Sequence, residues 1–395
     1  MANDVFSIKN NVVIEFQIPS ATAMTWGVST WDNANWDSGT GSTAWTNLHC
    51  EAFDITIGQG CPVESGIFVQ PSAGVATIKL QGADYDPFSN ARIHSGTPIR
   101  IGIQSIPDTN PTFIQYIFQG TVRDFSAAYN QQGNNVITIQ AVDGMQDFLN
   151  TRVASYTIGS LSKYPADVLT DLANTYYSGL SANILPDIYF MAAKTYTNVR
   201  VGDIVKDALI AGLGALYLNP DGTMQYLSEE DLGTIISSTY DYHFSTTHST
   251  AATHICMTGL TMKADTRDLP NEIIATYTGG SQLTLRNQDA YDLYGAVSLD
   301  ITVPIDDATG TQLWLDRLNL TTNVRRVQGL SFDAIKREGQ LWDWINLDAN
   351  HFFSPQKISY NLGGITFSET YFVTHQNHHI TPDSWDIAIE LWRGI

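Results

Sequence analysis

The stretch that most constrains this chain runs from Thr112 to Leu149. Side chains alternate through Phe113-Ile-Gln-Tyr-Ile-Phe118 and again, after Gly120, at Val122 and Phe125. That spacing predicts a strand kinked at a glycine. Gln131-Gln-Gly133-Asn-Asn135 supplies residues that tolerate the positive φ of a tight turn, and Val136, Ile137, Ile139 and Ala141 resume the period of two. The two strands therefore pair antiparallel. Asp143 is placed to cap a helix with Met145, Phe148 and Leu149 on its apolar side. A hairpin that ends in a capped helix carries the chain out of a sheet, so this stretch closes one β-unit and opens the next domain.

Strands of the same kind precede it: Val12 to Ile18, Ala52 to Ile57, Gly74 to Leu80 and Pro98 to Gln104, with turn residues between the last three and no intervening helix. Short strands at such spacing predict a small barrel or sandwich. After Asn150 the period becomes helical. Pro165 stands at a first helical position and Val168, Leu169, Leu172, Ala173 and Tyr176 share a face; a second helix runs from Val201 to Leu213. Strands follow at Ala215 to Leu218 and Thr223 to Leu227. Farther on come strands at Ile255 to Met262, Glu272 to Tyr277, Leu283 to Leu285, Arg326 to Phe332, Ile345 to Leu347, Lys357 to Tyr360, Ile365 to Phe367, Thr370 to Gln376 and Trp385 to Leu391, with a helix near 306–322. The expected divisions are 1–44, an N-terminal strand and Trp-rich loop; 45–149, a β-unit; 150–235, an α+β domain; and 236–395, a second β-unit with a helical insertion.

At 395 residues the chain exceeds one ordinary core. Forty acidic against 20 basic residues give a formal charge of −20. Such a surface repels phosphate backbones and anionic lipid, which argues against a nucleic-acid reader or a membrane-surface protein. Solubility alone is the plain explanation of the charge; the sharper one is a surface over which a polyanion slides without sticking. Cys50, Cys61 and Cys256 are an odd number without C-x-x-C spacing, against both a disulfide scaffold and a structural zinc site. Met1-Ala-Asn-Asp-Val-Phe6 lacks the order of a signal peptide, and no apolar run is long enough to span a bilayer, so synthesis and assembly in a cytoplasm are expected.

Candidate chemistry is sparse. Trp26, Trp31 and Trp36 punctuate a polar loop and would suit stacking on sugar rings or on a partner; the plainer reading, which also covers Trp45, is that each pins the loop to its own domain or a neighbouring subunit. Asp84-Tyr-Asp86-Pro87 lacks the ligand run of a calcium loop and reads as a turn. His375, His378 and His379 are a dense histidine group, but a strand would split them between two faces, and a surface turn before Thr381-Pro382 is the simpler placement. Asp343, between Trp342 and Trp344, is a carboxyl whose pKa apolar neighbours would raise, yet no second acid can be nominated beside it. Gly212-Leu-Gly214 closes a helix instead of opening one, so it is no dinucleotide fingerprint, and nucleophile-elbow, phosphate-loop and H-E-x-x-H signatures are missing from the sequence. No catalytic, cofactor or metal residue is nominated.

Several stretches, in order, resemble the tail hub, or minor tail, proteins of long-tailed bacteriophages. They are Trp45-Thr-Asn-Leu48, Gly60, Ala73-Gly-Val-Ala-Thr-Ile-Lys-Leu80, Asp84-Tyr-Asp-Pro-Phe88, Gly96-Thr-Pro-Ile-Arg-Ile101, Tyr116-Ile-Phe-Gln-Gly-Thr-Val122 and Val136 to Leu149. Leu269-Pro-Asn-Glu-Ile-Ile274, Tyr291 to Gly295 and Ile380-Thr-Pro-Asp-Ser-Trp385 continue the pattern, which covers most of 45–395, while 1–44 depart from it. The resemblance implies a mainly β fold with α+β insertions, in which the β-units at 45–149 and 236–395 are tube-type barrels flanking a helix-containing domain. It further implies a virion protein at the tail tip: a homotrimer whose six barrels match a hexameric tube, with tail tube, distal tail, tip or fibre and tape measure proteins as candidate partners. DNA would pass an acidic lumen without specific binding, and no catalytic residue is carried over. The rival expectation is a carbohydrate-binding or glycoside-cleaving β-protein using Trp26, Trp31, Trp36 and Asp343. A third is a metal-dependent hydrolase at the histidine group.

Overall fold

The computed structural model describes residues 12–19, 43–47, 52–81, 93–104, 114–129, 135–159, 163–177, 180–181, 187, 189–237, 240–246, 254–264, 269–318, 320, 325–335, 352–362 and 365–394. They fall into two compact units: Met1–Ile57, Val75–Asp143 and His378–Trp385 form the first, and Gly58–Gly74, Gly144–Asn377 and Asp386–Ile395 the second.

The first unit is an antiparallel sheet. Its strands run in the order Ala52–Gly60, Val75–Gln81, Val136–Val142, Ile114–Ala128, Pro98–Gln104, Val12–Pro19 and Thr43–Asn47. Burial follows the period of two: Ala76, Ile78 and Leu80 are buried, as are Ile99, Ile101 and Ile103, and Ile137, Ile139 and Ala141. Each strand thus has one apolar face. No helix among the described residues belongs to this unit.

The organising hairpin is longer than its alternation suggested. Ile114–Ala128 is one strand that changes partner midway: Thr121 is opposite Pro98 on one side and Val142 on the other. Gly120 stands at that change, and a Cβ there would lie 2.2 Å from the carbonyl oxygen of Val142. The close approach of two backbones, which only glycine allows, is the physical content of the kink.

In the second unit the helices Gly144–Asn150, Pro165–Tyr176 and Val201–Gly212 share a core with the ribbon of Arg152–Ile158 and Lys194–Arg200 and with the strands Ala215–Leu218 and Met224–Leu227. Pro165 opens its helix, and Asp203 Oδ2 accepts from the backbone N–H of Arg200 at 3.0 Å to open the next. That helix ends on Leu213 in the left-handed region, φ 50°, and not on the following glycine. Gly214 is needed for space instead, since a Cβ would meet the Leu227 carbonyl oxygen at 2.5 Å. A further short helix, Glu229–Ile236, is capped by Ser228, whose hydroxyl accepts from Asp231 N while Asp231 accepts from Ser228 N.

The remaining strands close on themselves. Tyr242–Ser245 pairs parallel with His254–Cys256 on one side and parallel with Pro355–Leu362 on the other. Pro355–Leu362 pairs with Ile365–Thr381, which neighbours Ser384–Trp392, which pairs with Arg325–Asp333, which pairs with Gly259–Ala264. The circuit is completed between His254–Cys256 and Gly259–Ala264: Met257 N donates to Ser245 O at 3.1 Å and the next residue, Thr258, donates from its N to Ser331 O at 2.7 Å. Residues 254–264 thus pair with Tyr242–Ser245 at one end and with Arg325–Asp333 at the other, so the strands return on themselves as a mixed, barrel-like circuit. Phe244 and Phe332 meet at 5.6 Å between ring centres, and Tyr371 accepts from Val327 N at 3.5 Å.

Between Ala264 and Arg325 the barrel carries an insertion that is more than a helix. Strands Gln282–Arg286, Glu272–Tyr277 and Ser298–Val303 form a three-stranded sheet, with helices Gln288–Tyr294 and Ala308–Arg317. Trp314 anchors it, fully buried, stacked on Phe68 at 6.1 Å and donating from Nε1 to Ile210 O at 2.8 Å.

Candidate functional site

Trp26, Trp31, Trp36, the Asp84-Tyr-Asp86-Pro87 turn and Asp343 lie outside the described residues. Trp45 is described and is engaged within its own unit. The Arg100 guanidinium lies over the Trp45 ring at 4.1 Å and over the Tyr116 ring at 4.3 Å, and its Nε donates to Glu15 at 2.5 Å. Tyr116 donates to the same carboxylate at 2.9 Å. Burial and the Glu15 charge push the Tyr116 hydroxyl up to about 12, so it stays a donor. A cation held between two rings and an acid ties four strands together.

The histidines are on a strand, not in a turn, because Ile365–Thr381 continues through them and the chain reverses only after Thr381. His378 is buried and accepts from Trp385 Nε1 at 3.2 Å. His379 points the other way, 3.3 Å from Asp54, while His375 faces Asn377 and is held below the ordinary imidazole range by burial. They do not converge, and among the described residues no group of three or more His, Cys, Asp or Glu gathers to hold a metal. Cys61 is buried with its thiol donating to Leu216 O at 3.2 Å.

Two polar groupings escaped the reading of the sequence. Ser245 and His254 stand 2.8 Å apart, Oγ to Nε2, across the parallel seam of the barrel. His243, beside His254 at 5.1 Å between ring centres, bonds to Ser359 Oγ at 2.7 Å. Burial, then His254 and Lys357, lower the His243 pKa. Although a hydroxyl beside an imidazole resembles a nucleophile with its base, Ser245 and His254 are buried, 6% and 9% exposed, and their bonds run from strand to strand. This row holds the seam.

The second grouping surrounds Asp187. Its carboxylate accepts from Ala166 N at 2.6 Å and from Tyr226 Oη at 2.8 Å, capping the helix Pro165–Tyr176 from a distant part of the chain. Burial raises its pKa to about 6 against the lowering effect of both donors. All these groups serve the fold. What the surface offers outward is apolar and charged area: Leu293 and Leu313 on the insertion are 67% and 51% exposed, and Tyr129 of the first unit 58%.

No helix among the described residues is long and apolar enough to cross a membrane. No protein-family model matches the sequence, and no curated protein matches it. Solved structures do. The tail protein from Neisseria meningitidis MC58 superposes with a TM-score of 0.61 at 10% identity, over 96% of both chains. The 43 kDa tail protein of prophage MuSo2 from Shewanella oneidensis gives 0.59 at 9% identity, over 97% of this chain and 98% of that one. A chain of the Francisella PdpA-VgrG complex gives 0.50 at 11% identity, with all of this chain matching 54% of that one. The chain therefore carries, over nearly its whole length, the fold of the phage tail proteins it resembles.

Proposed function

We propose that this protein is a structural hub at the distal end of a phage tail, a homotrimer that joins the hexameric tail tube to the tip. The observation that carries the reading is the presence in one chain of an antiparallel sheet and a mixed circuit of strands, within a fold shared end to end with tail proteins. Two tube-type barrels per subunit, drawn from 45–149 and 236–395 around an α+β domain, would present six barrels when three subunits close a ring. Permanent contacts of that kind bury on the order of 2,000 Å² or more. The net charge of −20 suits a lumen through which DNA travels without being held. The protein acts through shape and interface, with tube, distal tail, tip or fibre and tape measure proteins as its neighbours in the virion.

Electron images of the purified protein, with mass photometry, test this. Threefold rings with six similar lobes are expected. A monomer at every concentration, alone and with tube protein, would refute the reading.

A further inference from the structure

The strand Tyr242–Ser245 runs parallel to both of its neighbours, and one row of side chains crosses all three strands on the face away from Tyr242 and Phe244. Lys357 is the Cα partner of His243 on one side, and His254 is its partner on the other. The two imidazole rings meet edge to face at 5.1 Å between centres. Lys357 Nζ lies 5.2 Å from the centre of the Tyr240 ring, which in turn packs against His243 at 6.0 Å. Three groups that carry a positive charge or take one up therefore stand abreast.

The acids of the adjoining elements are engaged elsewhere. Asp241, on the approach to the same strand, accepts from Ser354. Glu369, in the strand beyond Pro355–Leu362, is the Cα partner of Ile358 and so belongs to the opposite face, where it accepts from Tyr371 and meets Arg393. Ser359, Ser245 and Cys256 form the next row along. The hydroxyls of Ser359 and Ser245 hold the two rings without fixing their charge, since a hydroxyl bonds to an imidazole in either protonation state. What a proton changes is repulsion: like charges opposite one another on neighbouring strands destabilise the pairing. Burial, then His254 and Lys357, already hold the His243 imidazole below its ordinary range. A histidine lowered in this way takes up its proton more readily once its strand is loose. Its contribution to closure is complete above pH ~6.5 and is lost as pH falls through the folded value.

We infer that the row Lys357, His243 and His254 is an acid-operated latch: with neutral imidazoles it keeps Tyr242–Ser245 seated between Pro355–Leu362 and His254–Cys256, and proton uptake releases that strand. The strand suits the role, being four residues long, and its departure unpairs an edge on each neighbour. The latch works within one chain and is independent of how many copies assemble.

Hydrogen–deuterium exchange on the full-length protein at pH 7.5, 6.5 and 5.5, corrected for the intrinsic pH dependence of amide exchange, tests this. In wild type, exchange in peptides covering 242–245 and 254–256 is expected to rise by up to about tenfold between pH 7.5 and 5.5, the ceiling for one proton on a group of ordinary pKa 6.5. Pro98–Gln104 in the first unit should hold. His243→Gln should abolish the rise, and Lys357→Gln should shrink it because one repelling charge is gone. Wild-type exchange that stays within about twofold across the range would overturn the latch. So would a rise shared equally by Pro98–Gln104, which is general acid unfolding, or one that His243→Gln leaves intact. If His243→Gln is loose at every pH, Lys357→Gln decides: a smaller rise supports the latch, and an unchanged one overturns it.

Discussion

Asp187→Asn isolates the cost of a buried charge. Asp187 is 5% exposed, and its pKa rises from 3.8 to about 6 because burial outweighs the donors Ala166 N and Tyr226 Oη. At about 1.4 kcal/mol per pH unit of displacement, that rise corresponds to about 3 kcal/mol. The native state holds this proton more tightly than the unfolded chain. Stability from the group is therefore complete below pH ~3.8 and is lost as pH climbs through about 6. Asparagine keeps an acceptor for Ala166 N and presents an amide to Tyr226, with no charge at any pH. Urea unfolding of both proteins from pH 4 to 8 gives the comparison, in which other titrating groups cancel. Near pH 4 the variant should match wild type, and by pH 7.5 it should be more stable by about 2–3 kcal/mol. A difference that stays flat across the range, or that favours wild type as pH rises, would refute the assignment.

Trp314→Ala should cost about 3–5 kcal/mol by emptying a core site and losing the bond to Ile210 O, read as a fall in the urea midpoint. Ser228→Ala removes the cap of helix Glu229–Ile236 and should cost about 1 kcal/mol in the same assay. Gly120→Ala sets a Cβ 2.2 Å from a backbone oxygen; about 3 kcal/mol, the upper end for overpacked sites, is expected in thermal or urea melts.

Where a segment's environment repeats along it, the sequence was readable. Pro98–Gln104, Pro165–Tyr176 and Val201–Gly212 sit where alternation, proline and the apolar face put them. Strands whose polar faces are wide were not. Lys194–Arg200 has four threonine, asparagine and tyrosine side chains among seven residues and buries Tyr196 against a helix, so its period is masked by polarity. Tyr242–Ser245 is only four residues long, and one of its two partners, Pro355–Leu362, lies more than a hundred positions away. The helix at Glu229 had a legible signal in Ser228-Glu-Glu-Asp231 that the surrounding strands obscured. At the surface the limit is different. Arg152 and Arg200 are 48 positions apart, and no local pattern reveals that folding makes them Cα partners.

The insertion between Ala264 and Arg325 leaves and re-enters the barrel at residues that are Cα partners in one antiparallel ladder. Its two ends are thus neighbours, and a tight turn could replace the whole cassette without disturbing a rung. What resists its removal is elsewhere: Phe68, Ile210 and Leu213 share the core around Trp314 and would be stripped to water. Such a module is topologically detachable yet thermodynamically clasped, so its outer loops are free to change while the inner tryptophan face stays as the peg.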